Sequence, residues 1–296
     1  MNAAELESKS VCEKPEQSVE NTIAEDIIKY GVITVKPDTP VYQAIATLVE
    51  KNITGLPVVD KDMSLVGVIS EKDLLQLLFE SHRGAGVVGE YMTERVVSFD
   101  VKDSLYDICD CLANNVFRRV EILDKEKLTS VLSRSDIIRV NKNKFKPVDL
   151  PEEPKRETII AKDVMKPGLI TVKRQTPVYR AMELLAEHNI TGLPVVDRDM
   201  HIEGIVSEKD ILKLLCDPDA RPGTVEEIMT RKVVCFGKND SLLDICECLI
   251  SNHFRRVMIL DDEELVGIVS RADIIVSILR YNACLFRRRQ TDPVGS

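Results

Sequence analysis

Apolar and polar positions along the 296-residue chain fall into one pattern that is used four times. A short apolar run ends in Ser, two polar residues follow, then Asp, then an apolar stripe of helical period. Gly204-Ile205-Val206-Ser207-Glu208-Lys209-Asp210, running into Ile211-Leu212-Lys213-Leu214-Leu215, is one copy; the others are Gly67 to Asp73, Ser130 to Asp136 and Gly267 to Asp273. Each reads as a buried strand feeding a helix. Upstream of the first copy the pattern predicts a strand over Val32–Val35, a turn at Lys36–Thr39 and a helix from Pro40 with Ala44, Ile45, Leu48 and Val49 on one side. Strands over Leu56–Val59 and Leu65–Ile69 and a helix over Glu71–Phe79 complete the unit. A second unit repeats the order, with strands near Val96–Phe99, Val120–Leu123 and Leu128–Leu132 and helices near Ser104–Ala113 and Arg134–Val140. Thr22 and Glu25, at capping-box spacing ahead of Ile27 and Ile28, mark the expected start of order.

The two units together recur. Thr54-Gly55-Leu56-Pro57 returns as Thr191-Gly192-Leu193-Pro194, and Phe117-Arg118-Arg119-Val120 as Phe254-Arg255-Arg256-Val257, both shifted by 137 residues. A constant shift with no net insertion indicates duplication of a two-unit module. The expected organisation is a disordered leader (1–20), module 1 (21–141, units at about 22–80 and 87–141), a charged, proline-broken linker (142–157), module 2 (158–281, units at about 159–216 and 224–281) and a polar tail (282–296).

Length and an ordinary apolar-to-charged balance allow two domains with real cores. No apolar run approaches the roughly 20 residues of a membrane span, and the acidic start lacks the basic and apolar regions of a secretory signal, so a cytoplasmic location is expected. A net charge of −9 disfavours nucleic-acid and anionic-membrane partners, with Arg287-Arg288-Arg289 read as a solvated end. The eight cysteines include Cys109 with Cys111 and Cys246 with Cys248; two apart on a helix, they point to opposite sides and cannot close on one metal. One of each pair is expected in the core, while Cys12 and Cys284 fall in the chain ends. His82, His188, His201 and His253 share no metal spacing, and no phosphate-binding loop or nucleophile elbow appears, so no catalytic residue and no metal are assigned.

The repeated Ser-x-x-Asp has two readings: a helix cap, or a strand-to-helix junction that offers N–H groups and a hydroxyl to an anion and a carboxylate to a sugar diol. Four copies in a fixed frame favour the second. With Ile33-Thr34-Val35, Ile170-Thr171-Val172, Thr-Pro-Val-Tyr, Gly-Leu-Pro-Val-Val-Asp and the terminal Gly-x-x-Ser-x-x-Asp, the chain resembles four cystathionine-beta-synthase-type (CBS) motifs in two tandem pairs, or Bateman modules, over about 22–141 and 158–281. The resemblance implies an α/β fold of four β-α-β-β-α units in two pseudo-twofold modules that dock as a disc or exchange between two chains as a homodimer. It also implies clefts for adenosine-containing ligands, with no further cofactor. Carried over residue by residue, the site positions are Ser70 and Asp73, Ser133 and Asp136, Ser207 and Asp210, and Ser270 and Asp273, with Ile33, Val97, Ile170 and Val234 near the base. Arg118, Arg119, Arg255 and Arg256 stand where basic residues reach phosphate, although alternation along a strand turns one of each pair the other way. Ser130 in place of the Gly at 67, 204 and 267 is expected to obstruct a ligand, making the second-unit cleft the poorest and the third-unit cleft among the better ones. The expected function is non-catalytic regulation or energy sensing through AMP, ADP or ATP, acting on a separate protein target. The alternatives are an S-adenosylmethionine binder, a scaffold with empty clefts and a redox-linked regulator.

Overall fold

The computed structural model describes residues 22–79, 86–142, 159–215, 221 and 223–280; the expected leader and tail and nearly all of the linker lie outside the described residues. Unit 1 comprises α1 (Val41–Glu50), β1 (Gly55–Val59), β2 (Leu65–Ser70) and α2 (Glu71–Phe79), and unit 2 comprises β3 (Ser98–Asp100), α3 (Leu105–Asn114), β4 (Arg119–Asp124), β5 (Lys127–Ser133) and α4 (Arg134–Asn141). Unit 3 follows as α5 (Ala161–Val164), α6 (Val178–Glu187), β6 (Gly192–Val196), β7 (Ile202–Ser207) and α7 (Glu208–Leu215). Unit 4 contains α8 (Val225–Ile228), β8 (Cys235–Gly237), α9 (Leu242–Ser251), β9 (Arg256–Asp261), β10 (Glu264–Ser270) and α10 (271–280).

Local chemistry sets these boundaries. Pro40 and Pro177 precede α1 and α6 at φ −58° and −60°, a backbone the ring already imposes. Ser104 and Ser241 cap α3 and α9, their hydroxyl oxygens accepting from the N–H groups of Tyr106 (3.1 Å) and Leu243 (3.2 Å). Asn52 and Asn189 let the chain leave α1 and α6 at φ 54° and 51°. Each unit has an antiparallel hairpin, and each hairpin breaks register near its turn, as at Val58/Val59 and Val195/Val196.

Two expectations need correction. The first strands of units 1 and 3 are reduced to single parallel bridges, Val35 to Val58 and Val172 to Val195, whereas β3 and β8 pair in parallel with β4 and β9. Gly31 and Gly168, at φ 92° and 70°, bend the preceding backbone out of strand geometry, so only the last residue of each run reaches the sheet. The first cap is also shifted by one residue: Ile23 stands at the helix entry and Asp26 Oδ2 accepts its N–H at 3.0 Å, opening a short turn over Ala24–Asp26.

The main cores run between the modules. Val41, Ala44, Ile45 and Leu48 of α1 and Leu74 of α2 pack in one cluster with Val178, Ala181 and Leu185 of α6 and Ile211 and Leu212 of α7, joining units 1 and 3. Leu105, Ile108 and Leu112 of α3 share a second cluster with Leu242, Ile245 and Leu249 of α9, joining units 2 and 4. Each buried Leu or Ile contributes roughly 1.5–3 kcal/mol, so docking of the modules is part of folding. The four units thereby close into a ring. Cys109 and Cys246 are buried in the second cluster while Cys111 and Cys248 are half-buried, as their spacing predicts.

Where the strands of units 3 and 4 meet, Met258 packs with Val196 and Leu265. The same position in module 1 carries Glu121, only 2 % exposed, with Oε1 lacking a hydrogen-bond partner. Burial pushes its carboxyl up to about 7, against the pull of Arg119.

Candidate functional site

All four Ser-x-x-Asp copies close the same box. Asp73, Asp136, Asp210 and Asp273 each use Oδ2 to accept the N–H of Ser70, Ser133, Ser207 and Ser270 at 2.8–3.0 Å. The same oxygen accepts the Ser hydroxyl at 2.5–2.6 Å. One carboxylate oxygen is thus consumed in holding the helix entry, and Oδ1 is what each Asp has left for a ligand. Asp136 Oδ1 meets Arg139 (2.7 Å), Asp210 Oδ1 meets Lys213 (3.3 Å) and Thr230 (3.4 Å), and Asp273 Oδ1 meets Lys166 (3.0 Å). Burial alone would raise the Asp136 carboxyl, but the Ser133 and Arg139 hydrogen bonds hold it below the usual range.

All four units line one half-open cavity of 1110 Å³. Its wall is built twice. Lys29, Gly31, Ile33, Asn52, Thr54, Arg118, Arg119, Ser133, Arg134 and Asp136 on one side match Lys166, Gly168, Ile170, Asn189, Thr191, Arg255, Arg256, Ser270, Arg271 and Asp273 on the other, identical in type and shifted by the same 137 residues. The two halves differ at the rim, where Tyr30 and Val116 face Pro167 and His253. Each half-site joins the bent first segment of one unit to the Ser-x-x-Asp of its module partner. Ser70, Asp73, Ser207, Asp210, Val97 and Val234 do not line this cavity.

Ser130 does not obstruct a ligand in the way its replacement of glycine suggests. A Cβ on Gly67, Gly204 or Gly267 would come within 2.6, 2.8 and 2.5 Å of the sulfur of Met92, Met229 and Met165, so these glycines make room for a methionine of the neighbouring entry segment, not for a ligand. Ser130 fills its own space and donates to the Lys29 carbonyl at 2.7 Å. The cleft ranked poorest on that ground contributes Ser133 and Asp136 to the cavity; the third-unit pair ranked better lies outside it.

The paired arginines divide their work. Arg119 donates to the Gly55 carbonyl (2.6 Å) and Thr54 Oγ1, and Arg256 donates to the Gly192 carbonyl (2.9 Å) and Thr191 Oγ1, stapling the two units of each module. Burial, then the neighbouring arginine, brings each guanidinium down to about 10. Arg118 and Arg255 reach instead to the opposite module. Arg255 makes a two-pronged pair with Glu71 at 2.8 Å on both arms, and Arg118 meets Glu208 at 3.2 Å. Burial raises the Glu208 carboxyl, with Arg118 opposing. Sequence reasoning missed these two glutamates, although a signal exists: the residue after the Ser is Glu in units 1 and 3 and Arg in units 2 and 4. Those arginines, Arg134 and Arg271, donate to the Leu112 and Leu249 carbonyls at the ends of α3 and α9.

One metal-like group exists among the described residues, Asp197, Asp199 and His201 in the β6–β7 turn. Asp197 Oδ1 there accepts the N–H groups of Asp199 and His201, as Asp60 does for Asp62 and Ser64 in unit 1, so the turn itself accounts for the carboxylate. Among the described residues no helix is long and apolar enough to cross a membrane.

Two pairs of such units, with clefts built from the first segment of one and the Ser-x-x-Asp of the other, define a tandem-pair CBS architecture. The CBS domain model matches residues 24–80, 88–143, 161–217 and 225–280, and the chain belongs to the CBS domain family. Protein MJ1225 of Methanocaldococcus jannaschii is 28% identical over 195 residues, 65% of this chain and 70% of that one. Its crystal structure, presented as a candidate archaeal homologue of γ-AMPK, covers 88% of this chain and all of that chain with a TM-score of 0.78 at 20% identity. CBSX2 of Arabidopsis thaliana is 33% identical over 134 residues, 36% of this chain and 56% of that protein. A CBSX2 complex with AMP covers 42% of this chain and 98% of its own (31% identity, TM-score 0.39). The CBS pair of MJ0100, solved with 5-methylthioadenosine and S-adenosyl-L-methionine, covers 45% and 98% (28% identity, TM-score 0.37).

Proposed function

We propose that this chain is a non-catalytic regulatory sensor that takes two adenine nucleotides, AMP, ADP or ATP, in its central cavity, one per module, and passes their occupancy to a separate protein. The observation that carries this is the doubled wall: Ile33, Ser133, Asp136 and Arg118 on one side and Ile170, Ser270, Asp273 and Arg255 on the other converge on one cavity. An aliphatic residue beside exposed backbone suits a purine face, Asp Oδ1 suits a ribose diol, and a guanidinium suits phosphate. The modules proposed as the working units are residues 21–141 and 158–281. The AMP complex of CBSX2 supports the ligand class, and the MJ0100 complexes make a thioether or sulfonium nucleoside the competitor to test.

The test is a thermal-shift panel of adenosine, AMP, ADP, ATP and S-adenosylmethionine. A ligand of the folded state raises the midpoint with concentration, by about 2.7 kcal/mol of stability at a hundred times Kd. Nucleotides should outrank adenosine. A panel in which S-adenosylmethionine alone shifts the midpoint would replace the ligand assignment, and a flat panel would remove it.

A further inference from the structure

The two cavity arginines that face the opposite module are already neutralised by carboxylates. Glu71 opens α2 in unit 1, is 1 % exposed, and holds Arg255 of unit 4 by both arms at 2.8 Å. Glu208 opens α7 in unit 3, also buried, and holds Arg118 of unit 2 at 3.2 Å. The quartet is closed by a longer contact, Arg118 to Glu71 at 3.6 Å. Arg118 Nη1 is buried with no hydrogen-bond partner. Both arginines also line the cavity, so the same guanidiniums serve the wall of a half-site and the junction between modules.

We propose that Glu71 and Glu208 are positioning counter-ions that a ligand phosphate must displace from Arg255 and Arg118, so that filling one half-site is registered at the module junction and weakens phosphate binding in the other. The inference rests on the nucleotide reading above. A phosphate that takes Arg255 leaves Glu71 buried with a single arginine in reach, Arg118. A buried carboxylate is costly unpaired and turns to that partner. Arg118 then carries two carboxylates, Glu71 and Glu208, and the second phosphate finds a more neutralised arginine than the first did. Adenosine, having no phosphate, leaves the quartet intact.

The experiment is a two-site calorimetric titration of the full chain with AMP and, separately, adenosine, in the wild type, Glu71→Gln and Glu208→Gln. For wild type the two AMP constants should differ by more than about tenfold, beyond the roughly fourfold statistical gap of two equal sites. Glu71→Gln should tighten the weaker step and bring the gap back toward the statistical value, with the adenosine constants unmoved. Should Glu71→Gln fail to fold, Glu208→Gln, which loses one contact instead of three, should tighten AMP at the module 1 half-site. A wide gap that persists in both variants assigns the effect to repulsion between phosphates and overturns the inference alone. Absence of AMP and adenosine binding to the wild type overturns the nucleotide reading and this one with it.

Discussion

Arg256→Ala separates a staple from a ligand group. In the free protein the Arg256 guanidinium gives one bond to the Gly192 carbonyl and one to Thr191 Oγ1, tying unit 4 to unit 3. Hydrogen bonds from a charged donor contribute about 1.5–3 kcal/mol each, and truncation leaves both acceptors without this partner. Relaxation and water recover part of that, so a loss of about 3 kcal/mol is expected. At roughly 2–4 °C per kcal/mol for a chain of this size class, the calorimetric midpoint of the ligand-free protein should fall by about 6–12 °C. Arg256→Lys keeps the charge but not the fork and should fall in between. An unchanged midpoint in the ligand-free variant, together with lost AMP affinity, would refute the staple and return Arg256 to the phosphate.

Glu121→Met, which copies Met258 into module 1, should remove a pH dependence. The folded carboxyl lies at about 7, above the 4.5 of the free side chain, so its contribution is intact below pH 4.5 and is lost as pH rises toward 7; the wild type should lose up to about 3 kcal/mol across that window and the variant should not. Urea midpoints from pH 4.5 to 8 check this, and parallel curves would contradict it. Gly267→Ala should cost about 1–3 kcal/mol by pressing on Met165, 2.5 Å from the new Cβ, and Gly267→Ala/Met165→Ala should recover part of the loss; a neutral single substitution would show the glycine to be free space.

The hairpins and the longer helices were legible because each carries its own apolar period, and the repeated Ser-x-x-Asp marks a helix start, so α2 begins at Glu71 as the pattern predicts. The short first segments were not. Val32 to Val35 has the composition of a strand, but the left-handed turn at Gly31 decides its path, and a single sequence does not distinguish that glycine from an ordinary turn residue. In the site, the Ser, Asp and Arg positions were visible as repeats, while their division between cavity and cap depends on which unit faces which. Ser70 and Ser133 make the same box, yet only Ser133 lines the cavity. The Glu71 and Glu208 pairs span 184 and 90 residues, beyond the reach of any local pattern.

The central claim, two nucleotide half-sites built from opposite walls of one cavity, is tested most directly by the stoichiometry of AMP binding in Asp136→Asn, Asp273→Asn and the pair combined. Asn keeps an oxygen to accept from the Ser N–H and hydroxyl, so the helix caps survive while the charge facing the ribose is removed. Two AMP per chain are predicted for the wild type, with one step weakened at least about tenfold in each single variant and both in the double. Two undiminished steps in the double variant, or loss of both through Asp73→Asn and Asp210→Asn, would contradict the account.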